Sequence, residues 1–176
     1  MLNHLKNTIP GLVYSVSATT RSPRRGEVDG KHYFFLTADE FTSKIERNEF
    51  AEWAVVHGNY YGTPRSFIDT AIARGEHVIM DIDVIGKKKF DALYPEAIGI
   101  LVLPPSIEEL EKRLRSRGSD DERTIRTRLL NARKEMEFAG TEGKYEYTII
   151  NDDLEKAKKE TETLIRSLIR NSGGCA

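Results

Sequence analysis

The stretch T-T-R-S-P-R-R-G-E-V-D-G-K-H-Y-F-F, residues 19–35, places three arginines around a proline. Pro23 fixes its own φ angle and pushes the preceding residue out of the helical region, so the stretch predicts an extended loop. Arg21, Arg24 and Arg25 in such a loop offer planar forks of N–H donors that stay charged, which suits a phosphate. A solvated basic loop between strands explains these arginines equally well, so both interpretations stay open here.

The composition is that of a globular chain whose charges nearly cancel. Its 176 residues, 39% hydrophobic and 31% charged, are enough for one domain with a substantial core and a small inserted lobe. A formal net charge of −1 argues against a protein that coats nucleic acid or a membrane. No apolar run approaches the roughly 20 residues of a membrane helix. The first residues are too polar to predict a signal peptide, and the single cysteine, Cys175, cannot form an internal disulfide. We expect a cytoplasmic protein.

Strands and helices alternate along most of the chain. Apolar runs predict strands at 12–18, 77–83, 97–103 and 145–151. Caps and apolar periodicity predict helices at 38–46, 66–74, 85–93, 107–117 and 122–139, and another that begins after Asp153. Repeated βα units favour an α/β fold of three layers, in which a parallel sheet is flanked by helices. The segment 21–63 interrupts this alternation and predicts an inserted β-rich lobe.

Ligands of such sheets bind at the carboxyl ends of the strands. Several residues lie at these ends, namely Ser17, Asp81, Asp83, Pro104 and Asn151. The inserted lobe should face the same edge. The sequence therefore predicts one binding region, formed by the strand ends together with the arginine loop.

Three motifs together resemble guanylate kinase, the family that transfers a phosphoryl group from ATP to GMP. They are the arginine loop, E-W-A-V-V-H-G-N-Y-Y-G-T at 52–63 and D-I-D-V-I-G at 81–86. The resemblance covers nearly the whole chain. It implies a P-loop kinase-like core in three pieces, 1–20, 66–115 and 126–176, together with a GMP-binding lobe at 21–65 and a helical lid at 116–125.

The resemblance also implies a GMP site. Its residues would be Ser17, Arg21, Arg24, Tyr33, Glu52, Tyr61, Thr63 and Asp83. Two arginines and two tyrosines would hold the phosphate, because cations and phenolic donors suit a dianion. Glu52 would read guanine, since a carboxylate accepts hydrogen bonds from both N1–H and the exocyclic amine, a pair that adenine lacks. Considered alone, Glu52 is more simply an outward-facing strand residue. Ser17, Thr63 and Asp83 would make polar contacts near the base.

For the donor side, the family pattern implies ATP and Mg²⁺. Arg113, Arg117 and Arg128 would neutralise charge on the transferring phosphoryl group. Asn151 would lie near the adenine, and Asp81 would help to position the magnesium ion through water. A strand-end cap or a surface acid explains Asp81 as well. The implied partners are GMP, with dGMP possible, and ATP, and the implied state is a monomer or a homodimer.

The family's ATP-binding P-loop, G-x-x-x-x-G-K-[ST], does not occur in this sequence. Gly-Lys pairs occur at 30–31, 86–87 and 143–144, and they are followed by His32, Lys88 and Tyr145. We expect the family's first strand, the P-loop and most of the first helix to precede Met1, as when translation is assigned to start at an internal methionine. We therefore predict GMP binding and negligible phosphoryl transfer by these residues alone.

The missing P-loop also fits a different class, the non-catalytic guanylate-kinase-like modules that bind phosphorylated peptides. Glu52, Tyr61, Thr63 and Asp83 disfavour this alternative, because a phosphopeptide binder has no use for a guanine reader.

Overall fold

The computed structural model describes residues 1–56, 58–118 and 120–172. Cys175 and Ser119 fall outside these ranges; the sequence predicts that Ser119, Asp120 and Asp121 cap the long helix that follows them. The chain divides into two compact units, one of Leu2–Glu96 and one of Ala97–Ala176 together with Met1. None of the helices in the described ranges has the length and apolar character needed to span a membrane.

Within its described residues, the first unit contains four helices and four strand pairings, two parallel and two antiparallel. Its elements are α1 (Leu2–Thr8), β1 (Leu12–Tyr14), β2 (Ala18–Thr19), β3 (Phe34–Phe35), α2 (Ala38–Glu46), β4 (Phe50–Val56), β5 (Asn59–Pro64), α3 (Arg65–Ala73), β6 (His77–Ile79) and α4 (Val84–Leu93). β1 and β6 pair in parallel, with Val13 opposite Val78. The other strands form a sheet in the order β3-β2-β5-β4.

The prediction of a single strand over 12–18 was wrong. The chain leaves β1 after Tyr14 and enters a different sheet as β2. Ser15 N–H still donates to Ile79 O over 3.0 Å, and Ser17 O accepts from Phe34 N–H over 2.9 Å. The backbone between them therefore changes partners, and one regular strand cannot stay in register with two sheets. This crossing places Ser17 next to the four-stranded sheet.

Helix α2 begins with the capping box that the sequence predicts. Thr37 Oγ1 accepts from Glu40 N–H over 3.2 Å, and Glu40 Oε2 accepts from Thr37 N–H over 2.7 Å. Two backbone donors at the start of the helix thus gain partners. The cap fixes where α2 begins, and so fixes how its apolar side meets the four-stranded sheet.

Replacing Thr37 by Ala should lower the free energy of unfolding by about 1 kcal/mol, because the side-chain cap is lost. Urea denaturation followed by circular dichroism measures this change. Thr42→Ala is the matched control: Thr42 lies inside α2, its hydroxyl donates to Ala38 O, and alanine is the better helix former. Equal stability of Thr37→Ala and wild type would show that the cap contributes nothing.

An aromatic cluster joins α2 to the sheet. Phe41 is fully buried and stacks on Phe50, with ring centroids 4.3 Å apart, and on Tyr60 at 5.2 Å. Tyr60 therefore packs against the core. Gly62 leaves room for this packing, because a Cβ there would approach ring carbons of Phe41 and Phe50 to 3.0 Å. The cluster holds β4 and β5 together, the two strands that carry the candidates Glu52, Tyr61 and Thr63.

The second unit contains β7 (Ile100–Leu103), α5 (Ile107–Arg117), α6 (Glu122–Thr141), β8 (Tyr147–Ile150) and α7 (Leu154–Ser172). β7 and β8 pair in parallel. A side-chain oxygen caps the start of each helix in this unit. Ser106 accepts from Glu109 N–H at α5, Asp121 from Thr124 N–H at α6 and Asp153 from Lys156 N–H at α7. Helix α5 ends at Gly118, whose φ of 62° suits glycine.

The parallel pairings agree with the prediction, but the strands are shorter and the sheet is not continuous. The strand predicted at 77–83 spans only His77–Ile79 in the structure, and the strand predicted at 145–151 spans only Tyr147–Ile150. Instead of one parallel sheet, each unit has a two-stranded parallel sheet of its own. A strand extends only while a neighbour offers backbone partners, and β1 leaves β6 after Ser15. The residues from 80 to 83 are therefore free to form the turn into α4.

Candidate functional site

A buried carboxylate lies in the four-stranded sheet. Glu52 of β4 stands opposite Thr63 of β5, and Thr63 Oγ1 donates to Glu52 Oε1 over 2.5 Å. Glu52 is only 7% exposed and Thr63 is fully buried. The pairing register shifts between Phe50 and Glu52, and such an irregularity turns the side chains that follow it. Glu52 therefore points inward, and the simpler interpretation of an outward strand residue is wrong.

Burial is the main influence on the Glu52 carboxyl and raises its pKa. The hydrogen bond from Thr63 opposes this shift, the nearby charge of Asp83 adds to it and the charge of Lys89 opposes it. Lys89 is held by its own bond, because its Nζ donates to Trp53 O over 2.7 Å. The site thus keeps a desolvated carboxylate that accepts hydrogen bonds strongly.

Replacing Glu52 by Gln should raise the stability of the free protein at neutral pH. In the folded protein the pKa of Glu52 lies above 4.5, the value of an ordinary glutamate in the unfolded chain. Below pH 4.5 the carboxyl is protonated in both states, and its full contribution to the stability of the fold is present. This stabilising contribution is lost as the pH rises through the pKa of the folded state, where the buried group ionises. The stability difference between variant and wild type should therefore be present at neutral pH and vanish below pH 4.5.

Denaturant unfolding of wild type and Glu52→Gln, at neutral pH and below pH 4.5, measures the difference in stability. Glu49→Gln is the control of opposite sign, since Lys44 and Arg47 lower the pKa of Glu49, so its charge stabilises the fold at neutral pH. A Glu52→Gln variant that is less stable than wild type at neutral pH would contradict the account.

The arginine loop is folded around an acid that the sequence analysis overlooked. Arg21 donates to both carboxylate oxygens of Glu27, over 3.0 and 2.9 Å, and the backbone N–H of Arg24 donates to Glu27 over 2.6 Å. The Arg21 side chain, and then the Arg24 N–H, lower the pKa of Glu27 to about 2. The Glu27 carboxylate thus contacts an arrangement of donors that an oxyanion such as phosphate would also use.

Two tyrosines stand beside Arg21. The guanidinium carbon lies 5.5 Å from the centre of the Tyr33 ring, and the rings of Tyr33 and Tyr61 meet edge to face at 6.0 Å. Burial raises the pKa of Tyr33, and the charge of Asp81 raises it further. The Tyr33 phenol therefore remains a protonated donor at neutral pH. The structure brings Arg21, Tyr33 and Tyr61 together, whereas the Arg24 side chain is exposed.

Asp81 and Asp83 follow β6 with different partners. Asp81 Oδ1 accepts from the hydroxyl of Tyr14 over 2.6 Å, and Asp83 Oδ1 accepts from Gly86 N–H over 2.6 Å as the N-cap of α4. Burial and then Asp81 raise the pKa of Tyr14, so Tyr14 stays a donor. Sequence patterns could not reveal Tyr14, because its role depends on the pairing of β1 with β6.

The described residues contain no cluster of three or more histidine, cysteine or acidic side chains that could hold a metal ion. Magnesium in nucleotide enzymes is often bound through one or two carboxylates, with phosphate oxygens and water completing its shell. A single carboxylate such as Asp81 is compatible with that mode.

The second unit carries the remaining candidates. Arg113 donates to the carbonyls of Asn151 and Asp152 over 2.7 and 2.8 Å, which brings Arg113 and Asn151 together. Arg128 Nε lies 3.3 Å from Asp120 Oδ2, and Arg117 is exposed at the last residue of α5. The buried Oδ1 of Asn151 has no hydrogen-bond partner within the part of the chain that the structure describes. It is an acceptor that a ligand could satisfy.

The chain resembles known proteins along nearly its whole length. The guanylate kinase family model matches residues 1–168. The guanylate kinase of Clostridium acetobutylicum is 50% identical over 151 residues, which are 86% of this chain and 71% of that protein. The guanylate kinase of Carboxydothermus hydrogenoformans is 46% identical over 156 residues, 89% of this chain and 75% of that protein.

The comparison with solved structures also finds a guanylate kinase. The crystal structure of guanylate kinase from Anaplasma phagocytophilum superimposes with a TM-score of 0.77 at 32% sequence identity, covering 94% of this chain and 80% of that one. A likeness at this level of sequence and of backbone extends to the α/β architecture as a whole. With its buried carboxylate and its arginine loop in a fold of this kind, the chain belongs to the guanylate kinase family.

Proposed function

We propose that this protein is an ATP:GMP phosphotransferase and that the described residues supply its GMP site. The observation that carries the proposal is the inward-facing Glu52 bound by the Thr63 hydroxyl. Burying a carboxylate in a sheet costs stability unless hydrogen bonds or an opposite charge compensate it, and the Thr63 hydroxyl supplies only one such bond. A base that presents two adjacent N–H donors would supply the others.

Guanine offers N1–H and its exocyclic amine on one edge, and a carboxylate accepts from both. Adenine has an acceptor at N1, which would face the negative charge of Glu52. The Thr63 hydroxyl already donates to one carboxylate oxygen and so fixes the orientation of the group. Ser17 is buried in the same unit, where its hydroxyl could add a contact to the base. Asp83 stands near enough to affect the Glu52 pKa and is proposed to contact the base as well.

The phosphate of GMP is proposed to bind Arg21, Arg24, Tyr33 and Tyr61. Arg21, Tyr33 and Tyr61 already lie together, and the raised pKa of Tyr33 keeps its phenol a donor at neutral pH. Glu27 holds the Arg21 guanidinium in place in the free protein. Arg24 is exposed and can turn toward a bound phosphate without breaking a buried contact.

The donor side is less complete in these residues. The sequence contains no G-x-x-x-x-G-K-[ST], so the amides and lysine that hold ATP phosphates in this family have no counterpart here. The side chains proposed for this side are Arg113, Arg117 and Arg128 for the phosphoryl charge, Asn151 for the adenine, and Asp81 for Mg²⁺ through water. ATP binding by this set alone does not fit the family's mode.

The finer architecture belongs to the same proposal. The β-rich segment 21–65 would be the GMP-binding lobe and 116–125 the lid. Catalysis would consist of positioning and charge neutralisation, without a covalent intermediate.

A non-catalytic binding module is the second candidate, favoured by the missing P-loop motif. The two functions differ in what they need from Glu52. A phosphate-binding module would take GMP and AMP equally, since both carry the same phosphate. An enzyme's acceptor site would prefer GMP.

This chain should bind GMP without transferring a phosphoryl group to it. Isothermal titration with GMP and AMP measures the preference, and a coupled assay of GMP-dependent ADP release measures the transfer. Kinases typically turn over at about 1–100 s⁻¹, and we expect a rate far below that range. Equal affinity for GMP and AMP would support the binding module instead. ADP release at an ordinary kinase rate would show that another part of the chain replaces the P-loop.

A further inference from the structure

The start of helix α4 lies against the carboxylate of Glu52. A Cβ placed on Gly86 would be 2.6 Å from Glu52 Oε2, 3.2 Å from the Glu52 carboxyl carbon and 3.4 Å from Asp83 Oδ1. Real Cβ atoms essentially never approach another atom within 3.0 Å. The carboxylate of Glu52 therefore occupies the space that any side chain at position 86 would need.

The backbone does not explain a glycine at this position. Gly86 is the third residue of α4, and its φ is not in the positive range that favours glycine. Glycine inside a helix is less favourable than alanine. The close approach of Glu52 is a reason for glycine that the local helix does not supply.

A methyl group at position 86 would have to displace either Glu52 or the first turn of α4. The helix start is fixed by the bond from Gly86 N–H to Asp83 Oδ1, which is 2.6 Å long. The Glu52 side chain is the softer of the two, although Thr63 holds its other oxygen. We therefore expect the carboxylate to rotate away from its position while the helix stays.

We propose that Gly86 is a specificity-determining position, whose missing side chain lets the Glu52 carboxylate take the orientation that reads guanine. This inference rests on the proposed GMP function. Gly86 acts through Glu52 and is a positioning residue. Its effect should appear in the preference for guanine over adenine and not in the binding of the phosphate, which Arg21 and its neighbouring tyrosines contact.

The test is isothermal titration of Gly86→Ala and wild type with GMP and with AMP. We expect GMP affinity to fall about tenfold or more, as when a hydrogen bond to a charged group is lost, and AMP affinity to stay within about twofold. Gly140→Ala is the matched control, because a Cβ at Gly140 meets nothing within 4 Å. It should bind both nucleotides as wild type does.

Thermal unfolding of each variant separates misfolding from loss of specificity. If Gly86→Ala does not fold, the double variant Glu52→Ala/Gly86→Ala removes the carboxylate that the methyl group would meet, and it should fold again. A double variant that stays unfolded would overturn the inference.

The two proposals fail in different ways. If the wild-type chain binds GMP and AMP equally, both the proposed function and the proposed role of Gly86 are contradicted. If the wild-type chain prefers GMP and a folded Gly86→Ala variant prefers it just as strongly, only the proposed role of Gly86 is contradicted.

Discussion

Replacing Glu52 by Gln should weaken GMP binding by about 100-fold or more and leave AMP binding nearly unchanged. Each hydrogen bond to a charged group contributes roughly 1.5–3 kcal/mol, and a carboxylate can accept two from guanine. Glutamine keeps one acceptor oxygen but turns an amide N–H₂ toward a guanine donor. The lost binding free energy should therefore be most of what the two hydrogen bonds to guanine contribute. About 1.4 kcal/mol corresponds to a factor of ten in affinity.

Isothermal titration with both nucleotides gives the two affinities. The control is Glu49→Gln, which removes a carboxylate that pairs with Lys44 and Arg47 just before β4. This control should keep the wild-type preference. A Glu52→Gln variant that discriminates GMP from AMP as wild type does would show that the buried carboxylate reads no base. The same variant should be the more stable protein at neutral pH, so affinity and stability should change in opposite directions.

Replacing Arg21 by Met should weaken the binding of GMP and of AMP by about 10- to 100-fold each and leave the ratio of the two affinities unchanged. Arg21 provides a charge-assisted, two-pronged contact to an oxyanion, and GMP and AMP carry the same phosphate. Methionine keeps much of the side-chain length and can still pack beside the Tyr33 ring. The effect should therefore come from the lost charge and donors.

Arg25→Met is the matched control, because Arg25 is an exposed arginine of the same loop that is not proposed to contact the phosphate. It should change either affinity by less than about twofold, as expected for a solvated surface charge. A fall in GMP affinity alone after Arg21→Met would contradict the assignment of Arg21 to the phosphate. The Glu52 and Arg21 variants together thus separate base recognition from phosphate recognition.

Local signals in the sequence were sufficient for the helices and their caps. Thr37 and Glu40 stand at the spacing of a capping box, and the structure has both bonds. Gly118 ends α5 where a glycine after an apolar-periodic segment predicts an end. These features depend on contacts between residues a few positions apart, which is why the pattern alone predicts them.

The features that depend on distant partners were not predictable in the same way. The strand over 12–18 breaks because Ser15 and Ser17 bond to different sheets. The inward direction of Glu52 follows from an irregular register between β4 and β5. Tyr14 meets Asp81 only because β1 and β6 pair. An acid among arginines was a visible signal for Glu27, although its partners are fixed only by the folded loop.

The most direct test of the central claim is a crystal structure of this chain with GMP. The claim is that the guanine edge lies against the buried carboxylate of β4. The measured quantities are the distances from guanine N1 and from the exocyclic nitrogen to the two Glu52 oxygens. We expect both to fall within about 2.7–3.2 Å, the range of N–H···O hydrogen bonds, with the phosphate against Arg21, Tyr33 and Tyr61. A base bound elsewhere, with Glu52 contacting only Thr63, would contradict the account.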